Sequence, residues 1–222
     1  HTTFQCPKGT RQALYWSKGI VAAGTGQIGR MGVIVDITKE WRLKRKLAQK
    51  VAELQRVKRI LQEMSRTDAL TGLSNRRPFN EFLEKCVAMA HRRGYPSCLL
   101  MLDLDHFKRI NDTFGHGEGD TVLRACADTL REVSRREDLP ARIGGEEFAV
   151  LLPSTELAEA RVMAERIRCA IGERILLPDG QRVTASLGAA QYHIEESAED
   201  FVRRTDEALY RAKHSGRNQV CS

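Results

Sequence analysis

From residue 68 onward, short apolar runs alternate with longer stretches whose apolar residues recur every three or four positions. A run of four to eight apolar residues between turn signals predicts a buried strand, and a 3.6-residue period predicts a helix. Helices are expected over 77–93, 117–134, 156–172 and 198–215, and strands over 97–104, 140–143, 148–152 and 183–191. Such alternation describes an α/β sandwich, with a largely antiparallel central sheet and helices outside it. Residues 39–66 obey a different rule: they lack Gly and Pro and are rich in helix formers. Leu43, Leu47, Leu54, Val57, Leu61 and Met64 are spaced by alternating four- and three-residue steps, with Lys50 in the one polar seam position. A heptad seam of about three repeats predicts a coiled coil and a parallel homodimer. The plainer alternative is an amphipathic helix packed on its own domain, but no loop separates this helix from the segment beginning at Asp68. Ser65, Arg66, Thr67 and Asp68 end it. Residues 1–40 are polar, glycine-rich and extended in character, and within them 29–40 read as a strand leading into a helix.

The 222 residues suggest one or two domains, and a 41% hydrophobic share supports a sizeable core. The formal charge of +7 directs attention to nucleic acid or acidic ligands. Many of the cations, however, fall within 42–59, where few aromatics are interleaved to stack bases. The surplus reads as a solvated helical face, and no nucleic-acid partner is expected. Six cysteines at 6, 86, 98, 126, 169 and 221 form no CxxC pair, so no zinc site is expected. Several lie in apolar stretches and read as small buried hydrophobes, reduced as in a cytoplasmic compartment. No apolar run approaches the ~18 residues of a membrane span, and no signal peptide is visible. The chain starts at His1 without a methionine and reads as part of a longer protein, which could itself be membrane-anchored.

Two acidic elements carry the candidate chemistry. Arg142-Ile143-Gly144-Gly145-Glu146-Glu147-Phe148 places two glycines and two carboxylates between apolar runs. This reads as a hairpin with a two-residue Gly-Gly turn. Taken alone, it could equally be a plain hairpin with solvated acids. The apolar run 98–102 ends in Asp103-Leu104-Asp105. Carboxylates at the end of a buried strand lie at the sheet edge, where ligands bind. Acids brought together from two strands repel unless a cation joins them. Magnesium, held by carboxylates and substrate phosphates, suits such a pair.

Between 67 and 220 these residues resemble the GGDEF-type diguanylate cyclases. The resemblance rests on Asp68-Ala69-Leu70-Thr71-Gly72-Leu73-Ser74-Asn75-Arg76-Arg77, on the run 103–116 with Gly119-Asp120, on Gly144-Gly145-Glu146-Glu147-Phe148, and on Ala212-Lys213-His214-Ser215-Gly216-Arg217-Asn218. It implies a palm-like fold, shared with nucleotidyl cyclases and polymerases, and the joining of two GTP molecules into cyclic di-GMP with release of two pyrophosphates. It implies two Mg2+ ions held by Asp103, the Leu104 carbonyl, Glu146 and Glu147. Glu146 also fits the position of the general base, while the role of Asp105 is open and could be structural only. Guanine recognition falls to Asn111 and Asp120, with His116 near base or ribose. Phosphate contacts fall to Lys108, to the backbone near Phe107, and to Lys213 and Arg217, read as i and i+4 on the last helix. Arg135-Arg136-Glu137-Asp138 matches an RxxD product-inhibition motif, with Arg166 as its further arginine. Residues 29–40 resemble the last strand and exit of a PAS sensor, so the chain divides into a partial PAS-like segment (1–38), a coiled-coil linker (39–66) and a catalytic domain (67–222). The alternatives are a GTP- or product-binding module without turnover, another palm-type nucleotidyl cyclase, or a basic nucleic-acid binder. Asn111 and Asp120 favour guanine over adenine.

Overall fold

A computed structural model describes residues 2–6, 9–21, 28–64 and 66–222. The chain forms two compact units, His1–Met64 and Ser65–Ser222. In the first, β1 (Thr2–Cys6), β2 (Gly9–Val21) and β3 (Ile28–Asp36) make an antiparallel sheet in that order. The expected strand before the helix is β3, and two more precede it. Residues 1, 7–8 and 22–27 of the expected N-terminal segment, and Ser65 at the expected helix end, lie outside the described residues. Helix α1 (Thr38–Met64) begins where Asp36 Oδ1 accepts a hydrogen bond from the Thr38 amide at 3.0 Å. The seam residues Leu43, Leu47 and Leu54 are 69, 63 and 68% exposed. The side chains of Leu61 and Met64 lie outside the description.

In the second unit a five-stranded sheet has the order β5-β6-β4-β7-β8. Its strands are β4 (Ser97–Leu104), β5 (Leu139–Gly144), β6 (Glu147–Pro153), β7 (Ala185–Gln191) and β8 (Val220–Cys221). All pairings are antiparallel except β7 with β8. The helices are α2 (Arg76–Arg93), α3 (Phe107–Phe114), α4 (His116–Val133), α5 (Leu157–Arg174) and α6 (Ala198–His214). Successive side chains of β4 point to opposite faces. Leu100, Leu102 and Leu104 join Val122, Cys126 and Leu130 of α4 and Ile167 and Ile171 of α5. Leu99 joins Phe79 and Leu83 of α2 and Phe201 of α6. A strand covered on both faces reads as a continuous apolar run, which is why β4 and β6 were legible.

The sequence pattern does not announce α3 or β8. It also sets the hairpin turn one residue early. Gly144 pairs with Glu147, so the two-residue loop is Gly145–Glu146, with Gly145 at φ 49°. Left-handed backbone at the first loop position is what a tight hairpin asks of glycine. Helix α6 lies directly on β7 at Gly188, where an added Cβ would come within 2.3 Å of both the Leu209 amide nitrogen and the Thr205 carbonyl oxygen.

Candidate active site

The site forms where β4 runs out between its two neighbours. Asp103 faces Glu147 across the strand pair, and Glu146 occupies the adjoining turn. The Leu104 amide donates to the Glu146 carbonyl in a long 3.5 Å contact. Asp103 is buried and pairs with Lys213 Nζ at 2.7 Å. Its carboxyl is held above the ordinary Asp range because burial disfavours the charged form. Lys213 opposes that shift, and the negative charges of Glu146 and Glu147 reinforce it. The structure therefore concentrates carboxylates at one strand end and places a cation against the buried Asp103. This donor set fits a hard divalent cation. Among the described residues no three His, Cys, Asp or Glu side chains converge into a complete metal cage. Magnesium commonly takes one or two carboxylates and completes its shell with water and phosphate.

The segment after β4 turns sharply. His106 has φ 57°, and α3 starts at once with the buried Phe107. Lys108 and His116 are exposed on α3 and at the start of α4, while Asn111 and Asp120 are half-buried. The Asn111 side chain crosses directly over Gly119, beside Asp120. A Cβ on Gly119 would stand 2.0 Å from Asn111 Oδ1. Helix packing thus brings Asn111 and Asp120 to one place.

Lys213 and Arg217 do not share a helical face, as their spacing suggested. Helix α6 stops at His214, and Gly216, Arg217 and Asn218 have φ of 113°, 62° and 45°. Gly216 is the helix-stop signal that the regular spacing concealed. Left-handed geometry at Arg217 and Asn218 costs about 1–2 kcal/mol each, so tertiary bonds must hold it. Asp105 supplies some of them. This buried carboxylate accepts from Ser186 Oγ at 2.7 Å, Thr184 Oγ1 at 2.8 Å and the Asn218 amide at 3.0 Å.

A further arginine, to which sequence reasoning gave no role, braces the turn. Arg142 donates to the Gly145 carbonyl from Nε at 2.9 Å and from Nη2 at 2.7 Å, and to Asp68 Oδ1 from Nη1 at 3.0 Å. Burial raises the Asp68 pKa, but hydrogen bonds from Thr71 and Arg142 outweigh it and hold the carboxyl below its ordinary range. Its position beside the glycines was the available signal. On the far side of the unit, Arg135 and Asp138 form a turn in which the Arg135 amide donates to Asp138 Oδ2 at 2.7 Å. Asp138 is buried, its Oδ1 has no partner, and burial pushes its carboxyl above the ordinary Asp range. Arg135 and Arg166 line one cleft of about 210 Å³ together with Glu159, Val162 and Met163. Arg166 donates to the Val133 carbonyl at 2.8 Å.

The family described as diguanylate cyclase, GGDEF domain, matches residues 65–219. The chain belongs to the GGDEF diguanylate cyclase family. Its GGDEF domain is 47% identical over 156 residues to diguanylate cyclase DgcP of Pseudomonas aeruginosa, covering 69% of this chain and 23% of that protein. It is 41% identical over 170 residues to diguanylate cyclase DgcM of Escherichia coli, covering 77% and 41%. The chain thus spans well under half the length of these curated relatives. The coiled coil and GGDEF domain of DgcB from Caulobacter crescentus, solved in complex with c-di-GMP, superposes with a TM-score of 0.67 at 35% identity. That match covers 81% of this chain and 98% of the DgcB chain. The GGDEF fold was the expected one. No helix among the described residues is long and apolar enough to cross a membrane.

Proposed function

We propose that the protein condenses two GTP molecules into cyclic di-GMP and releases two pyrophosphates. One observation carries this reading: the buried Asp103 stands across from Glu147 and beside Glu146 at a strand end, with Lys213 against it. The family match and the two relatives named diguanylate cyclase support it. Asn111 accepts and donates along the guanine edge, and Asp120 accepts from its N1–H and amino group. Lys108, Lys213 and Arg217 bind the triphosphate and hold the α-phosphate in place for attack, with the Phe107 backbone alongside. His116 lies by the base or ribose. Glu146 accepts the proton of the attacking 3′-hydroxyl. Asp103, the Leu104 carbonyl, Glu146 and Glu147 would hold two Mg2+ ions. When bound, these ions lower the pKa of the hydroxyl and neutralise charge on the departing pyrophosphate.

Each domain binds one GTP, so the reaction needs two domains facing one another. The apolar seam of α1 supports a parallel homodimer that provides them. Residues 1–38 act as part of a PAS-like sensor feeding this helix. Arg135, Asp138 and Arg166 bind the product and restrain the enzyme. Arginine pairs with guanine N7 and O6 or with phosphate, and a carboxylate accepts from guanine N1–H. The protein works in the cytoplasm, where GTP and magnesium are available.

The test is product analysis after the protein, stripped of bound nucleotide, is incubated with GTP and magnesium, with Glu146→Ala alongside. Cyclic di-GMP from the wild type and not from the variant is the expected result. No product at high protein concentration overturns the reading. For the second site, Arg135→Ala is expected to abolish inhibition by added cyclic di-GMP. Inhibition that persists unchanged would remove that assignment.

A further inference from the structure

Asp105 lies two residues past the metal carboxylate Asp103 and is buried, yet every bond it makes leads to another part of the chain. Oδ1 accepts from Ser186 Oγ in β7, and Oδ2 accepts from Thr184 Oγ1 and from the Asn218 amide. The Asp105 amide donates to the Thr184 carbonyl at 2.9 Å. The carboxylate therefore ties the end of β4 to the turn after α6. That turn is strained: Gly216, Arg217 and Asn218 are all left-handed. Asn218 is fastened from a second direction, because its Oδ1 accepts from Arg168 Nη1 of α5 at 2.8 Å. Arg168 is itself held by Glu165 at 2.7 Å. Arg217 stands between the Lys213 end of α6 and this doubly fastened residue, and its amide donates to the Ala212 carbonyl at 3.1 Å.

We infer that Asp105 is a positioning residue for Arg217: its hydrogen bond to the Asn218 amide fixes the left-handed turn that aims Arg217 at the outer phosphates of GTP. The inference rests on the phosphate role given to Arg217 under the proposed function. Asp105 works through hydrogen-bond acceptance and not through charge. An asparagine can reproduce it, with its amide oxygen accepting from the Asn218 amide while its NH2 donates to the Ser186 hydroxyl, which rotates to accept. Alanine cannot. The side-chain bonds of Asp105 go to Ser186, Thr184 and Asn218, so its role is to position and not to react.

The experiment measures binding of 3′-deoxy-GTP, which lacks the attacking hydroxyl, and of GMP, both with magnesium. Asp105→Ala is expected to weaken 3′-deoxy-GTP about tenfold, the size of one lost charge-assisted contact, and to change GMP less than about twofold. In an Arg217→Ala background the same substitution should add almost nothing, because coupled residues are non-additive. Asp105→Asn should recover most of the affinity. Equal losses for the triphosphate and for GMP, fully additive effects, or an Asp105→Asn variant as weak as Asp105→Ala would each overturn the inference. If Asp105→Ala does not fold, Arg168→Ala decides, since it frees Asn218 from the other side at a more exposed position. A selective two- to threefold loss of triphosphate affinity, absent when Arg217 is already alanine, is expected. No loss would sink the idea. Should Arg217→Ala alone leave 3′-deoxy-GTP binding unchanged, the phosphate role of Arg217 fails first, and the positioning role falls with it.

Discussion

Asp103 is a carboxylate whose folded environment works against its charge. Burial raises its pKa, and Lys213 only partly offsets this. A raised folded pKa means that the folded domain keeps this proton to higher pH than the unfolded chain does. The stability linked to Asp103 is therefore full below the ordinary Asp range and is lost as pH rises through the raised value. In chelator at pH 7, Asp103→Asn is expected to be inactive and more thermostable, with Tm up by about 2–4 °C, a shift worth about 1 kcal/mol in a domain of this length. The gain should vanish near pH 3; a variant less stable than wild type at pH 7 would contradict the argument. Arg142 gives the opposite case. Arg142→Ala removes two hydrogen bonds to Gly145 and one to Asp68, and is expected to cost about 1–3 kcal/mol. Denaturant melts read this directly, and turnover should fall with it because the Glu146 turn loses its brace. Neither the Lys213 pairing nor the Asp105 bonds could be read from sequence. The partners of Asp105 are 79, 81 and 113 positions away.

Two glycines differ in what an added side chain would meet. At Gly188 the neighbours of an added Cβ are backbone atoms of α6, which cannot step aside. Gly188→Ala must lift α6 from β7, with an expected cost of about 1–3 kcal/mol or more from overpacking. Loss of activity should accompany it, because α6 carries Lys213. At Gly119 the nearest obstacle is the movable end of Asn111, with the edge of the Phe107 ring 3.2 Å away. There an alanine favours helix by about 1 kcal/mol, so Gly119→Ala should keep or raise Tm while GTP binding falls at least about tenfold. Calorimetry and binding measured side by side test the contrast; a parallel loss of both would refute it. Element by element, the buried strands announced themselves as apolar runs. The eight-residue α3 did not, since its two buried residues, Phe107 and Ile110, are too few to show a period. The break at Gly216 was obscured because Lys213 and Arg217 keep a helical spacing across it.

At the scale of the whole molecule, α1 carries a row of exposed leucines and valines that one chain leaves unburied. If two copies bury the seam, sedimentation should report a dimer for the wild type, and Leu47→Glu with Leu54→Glu should give monomers that lose cyclase activity yet still bind GTP. A monomeric, fully active wild type would exclude this arrangement. The heptad spacing was plain in the sequence, whereas the three-stranded sheet before it was legible only as one strand. The bond between Asp105 and the Asn218 amide also sets an order of assembly in time. Strand β4 is synthesised before the turn that completes its surroundings, which follows more than a hundred residues later. A nascent chain that already displays Gly145 and Glu146 still lacks Lys213 and Arg217. The ribosome must therefore finish the last helix and the turn beyond it before Lys213 and Arg217 can join Gly145 and Glu146 in one folded domain.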